Sequence, residues 1–187
     1  MSPSLWIKNY QKNYDKKQVL IDDLVTDSKV ILLIGENGCG KTTVLKSLSL
    51  LLCFEGEASV GTSWMYMSDA FKPPAHFTVN QYLNHVCALS NTANYEQMRS
   101  LITYFDMEKH KHIPIKNLSK GMHQKVNIIQ TLCESKDVYL MDEPLDGLDA
   151  KNREKFIEYL KKSTGIFVCA THNPSHYERL SPEKIYL

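Results

Sequence analysis

No stretch of this 187-residue chain stays apolar long enough to cross a bilayer. The longest hydrophobic run, Leu48 to Phe54, is broken by Ser49 and falls far short of the roughly 20 residues a spanning helix needs. Met1 to Tyr14 alternates polar with apolar residues and lacks the apolar centre of a secretion signal. Work at a membrane is therefore expected to fall to a partner. Excess charge is equally scarce: 22 basic residues against 21 acidic ones leave a net charge of +1. That balance gives no electrostatic case for nucleic acid or an anionic lipid surface. The five cysteines (Cys39, Cys53, Cys87, Cys133, Cys169) include no CxxC pair and no metal-ligand spacing. They read as reduced thiols of the cytosol, most of them small core residues. Internal repeats and low-complexity segments are absent as well.

What the chain does have is the make-up of an ordinary globular domain, 43% apolar, 23% charged and 10% aromatic. Its length suits one domain with a sizeable core. Residues 1–28 read as short strands and turns, and Val30 to Ile34 as a strand buried on both faces. A glycine-rich turn leads into Thr42 to Phe54, where Val44, Leu45, Leu48, Leu51 and Leu52 recur at helical spacing. Residues 55–67 read as strands again, and Val79 to Met107 as mainly helical after Pro73-Pro74. A helix is predicted from about Ser119, with Met122, Val126, Ile129, Leu132 and Cys133 along one stripe. Val138 to Met141 and Ile166 to Ala170 are two more buried strands, flanking a helix over Ala150 to Lys162. Strands alternating with helices predict an α/β core with a mainly parallel sheet. A small antiparallel β subdomain precedes it, and a helical insertion spans approximately residues 69–135 of the single domain 1–187.

Gly35-Glu36-Asn37-Gly38-Cys39-Gly40-Lys41-Thr42 fits G-x-x-x-x-G-K-[ST] in full. Glycines let a backbone turn its N–H groups inward around phosphate oxygens. The helix that follows adds the partial positive charge of its N-terminus. Lys41 is placed to reach the β- and γ-phosphates, and the Thr42 hydroxyl to ligate Mg²⁺. Thr43 follows in the same turn. A buried strand before and an amphipathic helix after are the context this motif requires, which gives a P-loop NTPase core binding ATP with Mg²⁺.

A second site separates the classes of nucleotide enzyme. Leu140-Met141-Asp142-Glu143 puts two carboxylates at the C-terminal end of a buried strand, where open α/β sheets bind ligands. Asp142 can hold the Mg²⁺ shell, and Glu143 can polarise an attacking water as general base.

Three further blocks carry a family resemblance. Asn117-Leu118-Ser119-Lys120-Gly121-Met122-His123-Gln124-Lys125 resembles the signature of ABC ATPases, commonly LSGGQ followed by Gln-Arg. Asp142-Glu143-Pro144-Leu145-Asp146-Gly147-Leu148-Asp149 resembles the Walker B and D-loop block, with Asp146 and Asp149 in the D-loop. Ala170-Thr171-His172 resembles the switch-histidine loop. The order and spacing match that family from about Trp6 to the C-terminus. The resemblance implies the ABC ATPase fold and a head-to-tail dimer with two ATP molecules at its interface. Ser119, Lys120, Gly121 and Met122 of one subunit then face the nucleotide held by the other. It also implies a catalytic role for His172 beside Glu143, and Tyr14 stacked on adenine with Tyr10 as rival. The implied partners are a second ATP-binding subunit, completing a homodimer, and a separate transmembrane permease. No nucleic acid is implied. The place of work is the cytoplasmic face of the cell membrane.

Departures from the pattern sharpen the expectation. Asp69 stands where the family has a glutamine in the Mg²⁺ shell, and a carboxylate there can still ligate the ion. Lys120 replaces a glycine of the signature and Met122 its last glutamine, a form resembling ABC-2 type exporters. Asp146 replaces a Ser or Asn, and Cys39 sets a thiol inside the phosphate loop. Only 15 residues follow His172, so no appended regulatory domain is expected. The expected function is the energy subunit of an exporter. The alternatives are a soluble ABC-type ATPase outside transport and an ATP-dependent dimerisation switch with little hydrolysis.

Overall fold

A computed structural model describes residues 5–14, 17–70, 72–90 and 94–187, without the side chains of Tyr14 and Lys17. It divides into two compact units. The first comprises residues 1–66, 136–143 and 160–187, the second residues 67–135 and 144–159.

Two sheets build the first unit. Strands β1 (Leu5–Tyr14), β2 (Lys17–Ile21), β3 (Leu24–Thr26) and β5 (Glu55–Ser59) form an antiparallel sheet in which β1 pairs with the other three. The second sheet has the order β6-β7-β8-β4-β9, with β4 (Val30–Ile34), β6 (Trp64–Met67), β7 (Val138–Asp142), β8 (Ile166–Thr171) and β9 (Glu183–Tyr186). Strand β8 runs parallel to both β7 and β4, and β9 runs parallel to β4. Every residue of β4, β7 and β8 is buried, which is why these segments read as unbroken apolar runs. Helix α1 (Lys41–Leu48) packs on β7 and β8 through Val44, Leu45 and Leu48. Ile31, Leu33, Leu140, Val168 and the inward face of β1 complete that core.

The helix predicted over Thr42 to Phe54 ends early, at Leu48. Leu50 takes the left-handed conformation (φ 58°), and its N–H donates to the Ser47 carbonyl at 3.0 Å. The Leu51 N–H closes back on Lys46 O at 2.9 Å, and the Ser49 hydroxyl donates to the same carbonyl at 3.0 Å. These bonds satisfy the last carbonyls of the helix and turn the chain away. Leu51, predicted to face inward, is instead 60% exposed. The apolar spacing ran on past a stop that Ser49 and Leu50 impose locally.

In the second unit, α2 (Val79–Leu89) opens on a capping box between Thr78 and Gln81. Helix α3 (Tyr95–Tyr104) is capped by Asn94, whose side chain accepts from the Glu96 and Gln97 N–H groups. Helix α4 (Lys120–Leu132) starts at Ser119, and most of α5 (Ala150–Lys162) belongs to this unit too. Leu83, Met98, Leu101 and Phe105 are buried, as are Val126, Ile129, Leu132 and Cys133 of the stripe read from sequence, whereas Met122 of that stripe is half-buried. Among the described residues no helix is long and apolar enough to cross a membrane. Cys87, Cys133 and Cys169 are buried free thiols, and burial pushes Cys133 and Cys169 up to about 12. That fits inert core thiols. Cys53 is exposed and Cys39 half-buried.

Candidate active site

Strand β4 delivers the chain to Gly35 at the C-terminal edge of the parallel sheet, and the loop 35–40 follows. Two of its glycines have positive φ, Gly38 at 80° and Gly40 at 119°. The second is a conformation that residues with a Cβ rarely adopt. Space closes the same position: a Cβ on Gly40 would stand 2.4 Å from Cγ2 of Val19 on β2. Gly35 is packed as tightly, since a Cβ there would lie 2.5 Å from the Cys39 thiol. The sulfur thus sits against the start of its own loop. Helix α1 begins at Lys41, and Val44 donates to Gly40 O at 3.0 Å, the first bond of the helix. Earlier N–H groups of that turn are left for the loop's interior, an anion nest. Lys41 is buried, and its ammonium donates to the carbonyls of Gly35 (2.8 Å) and Glu36 (3.1 Å). Glu36, Asn37 and Gly38 form the exposed rim, and Thr43 is half-buried.

Strand β7, adjacent to β8 and one removed from β4, ends on Asp142. The Thr42 hydroxyl donates to Asp142 Oδ2 at 2.7 Å. Glu143 comes next in the left-handed region (φ 45°), its N–H donating to Ala170 O at 3.1 Å. A glutamate held there is strained backbone of the kind that collects at working sites. Its Oε1 lies 3.8 Å from Lys41 Nζ and 3.1 Å from His172 Nδ1. His172 follows the end of β8 and is exposed. Three neighbouring strand ends therefore bring Lys41 and Thr42, Asp142 and Glu143, and His172 to one place. The arrangement can take a polyphosphate into the nest and present a carboxylate to a water beside it. Thr42 and Asp142 supply adjacent hard oxygens, which suit Mg²⁺ held partly by substrate phosphates and water. No group of three or more His, Cys, Asp or Glu able to cage a metal occurs among the described residues. A shared ion of that kind fits this sparse set better than a structural one.

Ser119, Lys120, Gly121, Met122, Asp146, Asp149 and Asp69 belong to the second unit. Ser119 is the N-cap of α4, accepting from the Met122 N–H at 3.3 Å. Asp149 accepts from the Asn152 N–H at 2.8 Å, which with the Asn152 amide holds its carboxyl below the usual range. Asp69 is exposed in the turn after β6. The side chain of Tyr14 lies outside the described residues. Its rival Tyr10 is a core residue: its hydroxyl donates to Ser47 Oγ at 3.0 Å and its ring stacks on Phe54 at 5.0 Å. Sequence reading missed the Ala170 carbonyl that sets Glu143 and the Val19 methyl that walls Gly40. Both act through backbone geometry or shape, which leaves no motif.

Residues 24–146 match the family model described as ABC transporter. The chain is 31% identical over 179 residues to an uncharacterised ABC transporter ATP-binding protein of Bacillus subtilis, covering 87% of this chain and 73% of that one. A solved ATP-binding subunit of an ABC transporter superposes with a TM-score of 0.84 at 25% identity, covering 98% of this chain and 85% of that one. Relatives at 27–28% identity are named for import in some cases and for export in others.

Proposed function

The chain belongs to the ABC transporter family as an ATP-hydrolysing, ATP-binding protein, and from that premise we propose that it powers export through a separate transmembrane permease. The observation that carries the chemistry is the convergence of Lys41 and His172 within 3.8 Å of one carboxylate oxygen of Glu143. In this reading the nest of residues 35–43 holds the triphosphate, and Lys41 leaves its loop carbonyls for the β- and γ-phosphates. Thr42 and Asp142 hold Mg²⁺, which supplies charge neutralisation on the phosphates when bound. Glu143 takes the proton of the attacking water, and His172 orients that carboxylate and the water. Tyr14 stacks on the adenine. A second copy closes over the nucleotide through Ser119, Lys120, Gly121 and Met122, and the D-loops at Asp146 and Asp149 meet across the same boundary. Export is supported by the Ser-Lys-Gly-Met form of the signature. The protein then works on the cytoplasmic face of the membrane, held there by the permease.

Affinity purification of the full chain from its own cells tests the transport half. A multi-spanning membrane protein retained with it, and stimulating its ATPase activity, is the expected result. Recovery of the chain with ribosomes or alone would turn the reading towards a soluble ATPase.

Asp69 gives a second, smaller prediction. As a carboxylate in the Mg²⁺ shell it adds negative charge beside a triphosphate. Asp69→Gln is expected to raise turnover or lower the Mg²⁺ concentration for half-maximal activity by a few-fold, read from a metal titration of ATPase rate. Identical titration curves would remove Asp69 from the site.

A further inference from the structure

Helix α4 begins with a sequence that local preferences do not favour. Lys120, its first residue, sets a positive charge at the positive end of the helix dipole, and Gly121 follows with poor helix propensity. Apart from the Ser119 cap, what holds this turn is the segment 146–147 of the same unit. Lys120 Nζ pairs with Asp146 Oδ2 at 2.6 Å, both side chains reaching solvent. The lysine stem lies along Gly147, where a Cβ would stand 3.0 to 3.4 Å from its Cγ, Cδ and Cε. Gly147 itself is at φ 74°. Beside that, the backbones meet directly: a Cβ on Gly121 would stand 2.5 Å from the Gly147 carbonyl oxygen. An ion pair, a stem contact and a backbone contact thus join two consecutive residues of α4 to two of the turn. The ion pair is formed by two of the positions, 120 and 146, at which this sequence departs from the residues of the pattern it resembles.

We propose that Lys120 and Asp146 form a latch that makes the start of α4 and the 146–147 turn one element, both acting as positioning residues for ATP hydrolysis. The proposal rests on the reading of residues 119–122 as the segment that meets the nucleotide of a second subunit. The asparagine or serine of the ordinary pattern could not neutralise Lys120, and an unpaired Lys120 would be free to swing away from the helix start. With the pair formed, displacement of the 146–147 turn by an approaching partner carries Ser119 and Gly121 with it.

The test is a double-mutant cycle in the full chain. Lys120→Met and Asp146→Asn remove the charges at nearly constant shape. Each is expected to weaken MgATP-driven dimerisation of the Glu143→Gln chain, and to lower kcat of the Glu143 chain, by about five- to tenfold, well inside the span of couplings between residues in direct contact. The double variant should be no worse than the weaker single variant, and Lys120→Arg should restore both readouts. Melting temperature should hold within about 2 °C, since an exposed pair adds little stability. A merely structural role would not move kcat without moving the melting temperature. Losses that multiply in the double variant, or single variants that dimerise and turn over normally, overturn the latch alone. If the Glu143→Gln chain stays monomeric with MgATP, the dimer reading itself fails and the latch falls with it.

Discussion

Glu143→Gln is expected to slow ATP turnover by about 10²–10⁴-fold, the usual worth of a positioned general base, while ATP affinity stays close to that of the parent. The exchange is nearly isosteric and leaves the backbone untouched. That matters here, because Glu143 occupies the left-handed region and its N–H is spent on the Ala170 carbonyl. The amide keeps contacts to His172 and Lys41 but cannot accept a proton from water at neutral pH. Removing one negative charge 3.8 Å from the Lys41 ammonium also frees that lysine for phosphate. Binding should therefore survive or tighten as hydrolysis disappears. Size-exclusion chromatography with MgATP is expected to show a dimer that persists, against a transient one for the parent. Single-turnover measurement separates this from a release defect. A Glu143→Gln chain that hydrolyses ATP at half the parental rate would take Glu143 out of the base role.

The elements that could be read directly from sequence share one property: their determinants are local. Residues 30–34, 138–141 and 166–170 are apolar without alternation, because both faces of a central strand are buried. Gly40-Lys41-Thr42 announces itself because a left-handed backbone, a buried ammonium and a hydroxyl at a helix start are needed at fixed offsets. Asp142 and Glu143 follow from the strand end that carries them. What stayed hidden depends on partners distant in the chain or on a single torsion. β9 is a short strand of alternating exposure, Glu-Lys-Ile-Tyr, and only its parallel pairing with β4 makes it a strand. The end of α1 turns on Leu50, an apolar residue in a conformation usually left to glycine or asparagine. Tyr10 shares the aromatic pattern of an adenine platform, and only its bond to Ser47, 37 residues on, places it in the core. The pairing of Lys120 with Asp146 spans 26 residues and needed coordinates for the same reason.

Gly40→Ala should lower ATP affinity by about 10- to 100-fold with the sheet intact. Two effects act on this one atom. A φ of 119° lies where a Cβ meets its own backbone, at a cost of about 1–3 kcal/mol for a residue held there. The new methyl would also come within 2.4 Å of Val19 Cγ2, well inside contact distance. Each 1.4 kcal/mol lost from the bound geometry is about tenfold in Kd, so strain alone accounts for the lower end of the range. The sheet has reason to survive, because Val44, Leu45 and Leu48 anchor α1 independently of the loop. If the loop keeps its shape, the strain appears as stability, about 2–4 °C of melting temperature per kcal/mol for a chain of this size. If it relaxes, melting temperature holds and the nest opens, so that affinity carries the loss. Adding Val19→Ala separates the causes: it removes the steric contact and leaves the torsion. The double variant should recover part of the affinity and never all of it. Nucleotide titration beside thermal melts reads both quantities, and a Gly40→Ala chain unchanged in the two would mean that residues 35–42 do not bind phosphate in this conformation.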